Sequence, residues 1–130
     1  MIFFQLELLG MLNLDTHILV KAFEGSLTPR ERNVLVADRE WSISAIVLWE
    51  VAKLHQLGRV GCGLDNEALA AAVDRVQVWP ITRQVCLNLR ALDFQSDPAD
   101  EIIAATSLTH DIPLLTRDPR IRKSKVVKLA

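Results

Sequence analysis

Short apolar runs that stop at a polar residue alternate along the chain with longer segments in which apolar positions recur every three or four residues. The first pattern suits buried strands and the second amphipathic helices. Met11 to Leu14 is a run of the first kind, and Thr16 to Val20 follows it with helical character, so a strand should lead directly into a helix with Asp15 at the strand's carboxyl end. Thr28-Pro29-Arg30-Glu31 places an N-cap threonine, proline at the first helical position and glutamate at the third. That capping box predicts a helix from Pro29 to about Asp38. Trp41 to Ser44 alternates as a strand does, and Ser44 can cap a helix over Ala45 to Leu57 that Gly58 ends at the C′ position.

The second half repeats the alternation. Asp65 to Val76 is Ala-rich and helical, Gln77 to Ile81 forms a short strand around Trp79, and Thr82 caps a helix over Arg83 to Leu92. Asp97-Pro98-Ala99-Asp100 renews the helix-start signal ahead of the apolar face Ile102, Ile103, Ala105, Thr106 and Leu108, with an end near His110. Ile112 to Thr116 is a buried-type strand that stops at Arg117-Asp118-Pro119, where Asp118 can begin a turn, and Val126 to Leu129 would add a last edge strand. Strands that alternate with helices predict an α/β fold with a parallel sheet covered on both faces, because parallel neighbours need helical crossovers. No repeat, low-complexity tract or linker divides the chain, so residues 1–130 read as one domain.

Composition narrows the functional classes. With 130 residues, half of them apolar, the chain can bury a core without disulfides or structural metal. Cys62 and Cys86 form no CxxC pair and no Cys/His zinc pattern surrounds them; they read as reduced, buried thiols of a cytosolic protein. The leading MIFFQLELLGMLNL lacks a basic n-region, carries Glu7, and falls short of the roughly 20 apolar residues that a membrane span needs. Residues 1–10 therefore read as an extension ahead of the first strand, and both Met1 and Met11 stand as candidate starts. A net charge of −1 gives no overall electrostatic pull on nucleic acid, so any such affinity must be local.

Among 16 acidic residues, position singles out Asp15, Glu50, Asp100 and Asp118. Each has a structural explanation: a helix cap for Asp15, an i,i+3 pair with Lys53 for Glu50, a capping box and dipole complement for Asp100, and a turn for Asp118. Asp97 is assigned to capping. Open parallel sheets bind ligands at the carboxyl ends of their strands, at a topological switch point, and Asp15 and Asp118 both fall at that edge. Four carboxylates gathered there would repel one another unless neutralised, and an all-oxygen donor set points to Mg²⁺ or Mn²⁺ over zinc.

Leu14-Asp15-Thr16-His17 and Ser44-Ala45-Ile46-Val47-Leu48-Trp49-Glu50-Val51-Ala52 resemble the opening motifs of PIN-domain proteins. Asp97-Pro98-Ala99-Asp100-Glu101-Ile102-Ile103-Ala104-Ala105-Thr106 and Leu115-Thr116-Arg117-Asp118 are similar to the later acidic motifs of that family, in order, so the resemblance spans Met11 to Leu129 and is nearest to VapC-type toxins of type II toxin–antitoxin pairs. It implies a three-layer α/β/α fold around a parallel sheet of about five strands and a Mg²⁺-dependent endoribonuclease. Asp15 and Asp100 would be the main metal ligands, Glu50 and Asp118 would bind directly or through water and position the nucleophile, and Thr116 would support the site. His17 is read as a structural helix-start residue. Glu101 departs from the family motif, which often has a basic residue there, and would add negative charge beside the cluster.

Arg117, Arg120, Arg122, Lys123, Lys125 and Lys128 make the C-terminal stretch basic. Two readings stand: a rim that contacts RNA phosphates, with Arg117, Arg120, Arg122 and Lys123 nearest the site, or a cationic edge that resists strand pairing. Trp41, Trp49 and Trp79 read as core, which leaves no aromatic platform for bases. Ala45 to Leu57 and the helix from Pro29 are apolar enough to form a groove for an antitoxin segment, or simply to pack in the core. The resemblance also implies a homodimer and a cytoplasmic location. Competing readings are a PIN-domain nuclease of RNA processing, a non-cleaving PIN-like RNA- or protein-binding module, and a receiver-like phosphoacceptor domain; the last lacks the lysine expected near a late strand end, where Arg117 stands.

Overall fold

A computed structural model describes residues 10–37 and 40–130. The first strand, β1 (Met11–Leu14), leads through Asp15 into α1 (Thr16–Glu24), which Gly25 closes in the left-handed region at φ 74°. The next helix, α2 (Pro29–Val36), has the capping box read from its sequence, with Thr28 Oγ1 accepting from the Glu31 N–H and Glu31 Oε1 from the Thr28 N–H. It ends before Asp38, which lies outside the described residues, as do residues 1–9 of the N-terminal extension.

A second strand-to-helix step follows. The strand β2 (Glu40–Ser44) hands over to α3 (Ala45–Gln56) through the Ser44 hydroxyl, and Gly58, at φ 72°, ends the helix as expected of a C′ glycine. The Ala-rich helix α4 (Glu67–Asp74) is shorter than its composition suggests, because the Asn66 side chain caps it one residue beyond Asp65. After β3 (Gln77–Trp79) the strand cannot extend to Ile81, since Pro80 has no N–H to donate. Thr82 caps α5 (Arg83–Leu87), and the rest of the helix expected to Leu92 tightens into a 3₁₀ turn over Asn88–Ala91.

Three differences fall at the end of the chain. After α6 (Pro98–His110), the strand expected over Ile112 to Thr116 shrinks to β4 (Leu114–Leu115), because the Ile112 N–H goes back to Ser107 of the helix and Pro113 has none. In place of a simple turn at Pro119, Asp118 caps a short helix, α7 (Pro119–Arg122). The edge strand expected over Val126 to Leu129 is reduced to one parallel bridge between Leu114 and Leu129, since the Val126 and Val127 N–H groups are held by Ser124 Oγ. The described residues thus form a sheet of four parallel strands in the order β3-β2-β1-β4, flanked by helices.

The order places the switch point. From β1 the chain proceeds to β2 and β3 on one side and returns to β4 on the other, so the carboxyl ends of β1 and β4 open a crevice between oppositely directed connections. Leu12, Leu14, Ile18, Ile43, Val47, Ile103, Leu114 and Leu115 are completely buried beneath it. A buried polar network fixes the frame: Asn13 Nδ2 donates to Ser107 Oγ at 2.9 Å, and Ser42 Oγ donates to the Leu12 carbonyl at 3.0 Å. Both Asn13 and Ser42 are fully buried, so these bonds tie α6 and β2 to β1 at a fixed height. No described helix is long and apolar enough to cross a membrane.

Candidate metal centre at the switch point

Asp15 leaves the end of β1 with its N–H bonded to the Leu115 carbonyl, so β4 pins its backbone before the chain turns into α1. Its carboxylate is 3% exposed and both oxygens are used: Oδ1 accepts from the His17 N–H at 3.2 Å, and Oδ2 from the Thr116 hydroxyl at 2.5 Å. The capping explanation for Asp15 is therefore correct, but covers one oxygen of two. Thr116, itself buried, also accepts from the Asp118 N–H at 3.0 Å and so bridges Asp15 to Asp118. Asp118 Oδ1 caps α7 by accepting from the N–H groups of Arg120 and Ile121.

Glu50 comes from α3, where the apolar face that buries Val47 and Val51 leaves it half-buried. Thr16 donates its hydroxyl to Glu50 Oε1 at 2.5 Å, a contact across 34 residues that fixes the carboxylate beside the start of α1. The pairing with Lys53 does not form; that ammonium bonds Gln56. Burial, first, and the charges of Asp15 and Asp97 push the Glu50 carboxyl up, against the Thr16 hydroxyl and the His17 charge.

Asp100 sits in the first turn of α6, but the capping box read around it does not form. Asp97 occupies the N-cap position without any side-chain cap bond, and the acceptor that reaches back is Glu101, whose Oε2 takes the Ser96 N–H at 2.9 Å. Asp100 Oδ2 accepts the Ser96 hydroxyl at 3.1 Å. Burial and the neighbouring charges of Asp15, Glu50 and Asp118 push its carboxyl up to about 6, with the Ser96 bond opposing them. Asp100 thus lies within electrostatic reach of the other three acids. Asp97, assigned to capping, is instead an exposed carboxylate felt by Glu50. Thr16 escaped the sequence reading because its partner lies 34 residues away, and Ser96 because the helix-start signal begins at Asp97, one residue after it.

A divalent cation suits this donor set. The ligands are all oxygen, two of the carboxyls are raised by burial and mutual repulsion, and no described Lys or Arg side chain hydrogen-bonds any of the four. Glu50 Oε2, Asp100 Oδ1 and Asp118 Oδ2 accept no hydrogen bond among the described residues. Among those residues no three His, Cys, Asp or Glu side chains are already drawn together as a ready-made cage. Mg²⁺ does not require one, since it keeps several waters and takes one or two direct carboxylates.

The surroundings correct several expectations. Arg117 is not an open phosphate contact: its Nε and Nη2 pair with the Glu31 oxygens at 2.6 Å each, which holds the Glu31 carboxyl down at about 2. Lys128 pairs with Asp111 at 2.7 Å. Arg120, Arg122 and Lys123 are exposed, with Arg122 Nη1 touching the Thr116 carbonyl at 3.2 Å. Trp49, one residue before Glu50, is 58% exposed and so is not core. Cys86 is exposed and Cys62 half-buried, so neither is the buried thiol expected. Apolar pockets lie beside α3 and the helix from Pro29 but not between them: one is lined by Val20 and Phe23 of α1, Val51 of α3 and Leu69 of α4, and another by Ala22 of α1, Leu35 and Val36 of α2 and Trp41.

The PIN domain family matches residues 13–126. The chain is 28% identical over 120 residues to ribonuclease VapC22 of Mycobacterium tuberculosis, a match that covers 86% of this chain and 90% of that protein. Its fold is similar to VapBC2 of Rickettsia felis bound to a DNA fragment from its promoter, with a TM-score of 0.71 and 17% identity over 92% of this chain and 97% of the other. A toxin–antitoxin complex from Klebsiella pneumoniae superposes with a TM-score of 0.65 and 22% identity, covering 85% and 89% of the two chains.

Proposed function

The chain belongs to the PIN-domain family, and from that premise we propose that it is a single-domain, cytoplasmic Mg²⁺- or Mn²⁺-dependent endoribonuclease, the toxin of a type II toxin–antitoxin pair. The observation that carries the reading is Asp100: a half-buried carboxyl pushed up to about 6 by burial and by Asp15, Glu50 and Asp118 at the switch point of the sheet. Such a field is costly without a cation and useful with one. Asp15 and Asp100 would hold the ion, with Glu50 and Asp118 binding it directly or through water. When bound, the ion would supply an acidified water and charge neutralisation at the scissile phosphate.

The protein's own groups do the rest. Thr116 and the His17 N–H orient Asp15, Thr16 orients Glu50, and Ser96 orients Asp100. Glu50, held by one oxygen and raised above the usual carboxylate range, can take a proton from the attacking water on Oε2. Arg120, Arg122 and Lys123 lie after Asp118 on the side where the RNA backbone would pass. The antitoxin segment would lay an apolar face into the groove between α1 and α3. Toxin–antitoxin complexes among the similar folds support a partner of that class; a homodimeric toxin belongs to the same proposal.

Purified protein with Mg²⁺ should cut single-stranded RNA, lose the activity with chelator and regain it with Mn²⁺. Asp15→Asn and Asp100→Asn should each lower the rate by about 10²–10³-fold or more. Cleavage at the wild-type rate by both variants would overturn the assignment.

A further inference from the structure

The same acceptor that displaces the capping box of α6 is tied through Ser96 to Asp100. Ser96 stands one residue outside the helix cap, where the chain has no regular structure to hold it. Its two polar groups nevertheless point to two carboxylates of the first helical turns: the N–H to Glu101 Oε2 at 2.9 Å, and the hydroxyl to Asp100 Oδ2 at 3.1 Å. Asp97, the cap residue between them, contributes no side-chain bond. With the Ser96 backbone held by Glu101, its hydroxyl engages Asp100 Oδ2 and leaves Oδ1 without a hydrogen-bond partner among the described residues, free to take a cation.

We propose that Glu101 is a positioning residue for the metal centre, setting Asp100 through Ser96, an inference that rests on the metal-dependent reading above. Glu101 itself is not a ligand: it works by its acceptor oxygen, while its charge is incidental. Residues that hold a metal ligand in place by hydrogen bonding change metal affinity by about 10- to 100-fold when removed.

The test measures Mn²⁺ affinity of the full chain by electron paramagnetic resonance, with thermal unfolding as a control on folding. Glu101→Ala and Ser96→Ala should each weaken Mn²⁺ binding about tenfold, and the double variant should be no weaker than the worse single one, because both act along one path. Glu101→Gln, whose amide oxygen can still accept the Ser96 N–H, should bind within about twofold of wild type. Wild-type affinity in both alanine variants would overturn the inference, as would an equal loss in the alanine and glutamine variants at position 101, which would mean that charge and not the hydrogen bond matters. If Glu101→Ala does not fold, Ser96→Ala and Glu101→Gln decide the matter between them. Asp100→Asn separates the two levels: it should abolish Mn²⁺ binding, and if it does not, the metal-centre reading itself fails.

Discussion

Burial and the charges of Asp15, Glu50 and Asp118 raise the Asp100 carboxyl from 3.8 to about 6, so near neutral pH it is ionised against an opposing field. An acid whose folded value lies above its unfolded one binds protons more readily when folded; stability is lost as pH rises from about 4 to 6, and the penalty is complete above that. Removing the charge should therefore stabilise the metal-free protein. Asp100→Asn keeps an acceptor for the Ser96 hydroxyl, and at pH 7.5 it should gain about 1–2 kcal/mol after solvent screening of a half-buried site. Against this stands up to about 1 kcal/mol of lost helix-dipole interaction in the first turn of α6, so a net gain of about 1 kcal/mol is expected. Urea unfolding in chelator would show the gain at pH 7.5 and its disappearance at pH 4. A variant less stable than wild type at pH 7.5 would mean that the repulsion is relieved in some other way.

At the scale of elements, α2 is joined to the segment that follows β4 by one ion pair. Glu31 is 6% exposed, serves the capping box of α2, and receives Arg117 through two 2.6 Å bonds. Arg117 lies between Thr116 and Asp118, so the pair braces the loop that delivers both residues to the centre. The Arg117 bond, first, and the Thr28 bonds hold Glu31 down from 4.5 to about 2, against burial. The stability this contributes is present above pH 4.5 and lost as pH falls toward 2. The arginine end is 38% exposed, so screening limits the pair to about 1–2 kcal/mol. Arg117→Ala should lower stability by about that amount at pH 7 and flatten the acid limb between pH 4.5 and 2, as chemical denaturation across pH would show. An unchanged acid limb would remove the pair from the account.

These bonds also show which features the sequence made legible. The cap of α2 lies within four residues and was readable from Thr28 and Glu31 alone. The same signature at Asp97 to Asp100 misled, because Glu101, one position later, competes for the chain before the helix and takes Ser96. The alternation of elements and the parallel sheet followed from hydrophobic period, while strand lengths did not, since Pro80, Pro113 and Ser124 remove or divert the ladder donors. The neighbourhood of Asp15, Glu50, Asp100 and Asp118 was suggested by strand ends and motif resemblance. Of the groups that orient them, Thr116 came with the motif resemblance and does bond Asp15, whereas Thr16, which meets Glu50 across 34 residues, and the Asn13–Ser107 bond, across 94, left no local signal. Arg117 looked like an open cation because its partner lies 86 residues away.

For the molecule as a whole, a net charge of −1 and an acidic centre leave little electrostatic attraction for RNA. The basic C-terminal stretch is smaller in effect than in count, because Arg117 is neutralised by Glu31 and Lys128 by Asp111. Arg120, Arg122, Lys123 and Lys125 remain as exposed cations, the first three nearest Asp118 in the chain. Each phosphate contact to single-stranded nucleic acid contributes about 0.7 to the slope of log affinity against log salt, so three give a slope of about −2. On the proposed reading the expected RNA affinity is modest and weakly salt-dependent, and catalysis would rely on the proposed metal centre more than on electrostatic capture. Binding of single-stranded RNA to the Asp15→Asn variant, measured by fluorescence anisotropy over a salt series, should give that slope. Arg120→Gln and Lys123→Gln should each make it shallower by about 0.7 without changing Mn²⁺ affinity. A slope near −5 would require cations beyond these three and would overturn the expectation of weak electrostatic capture.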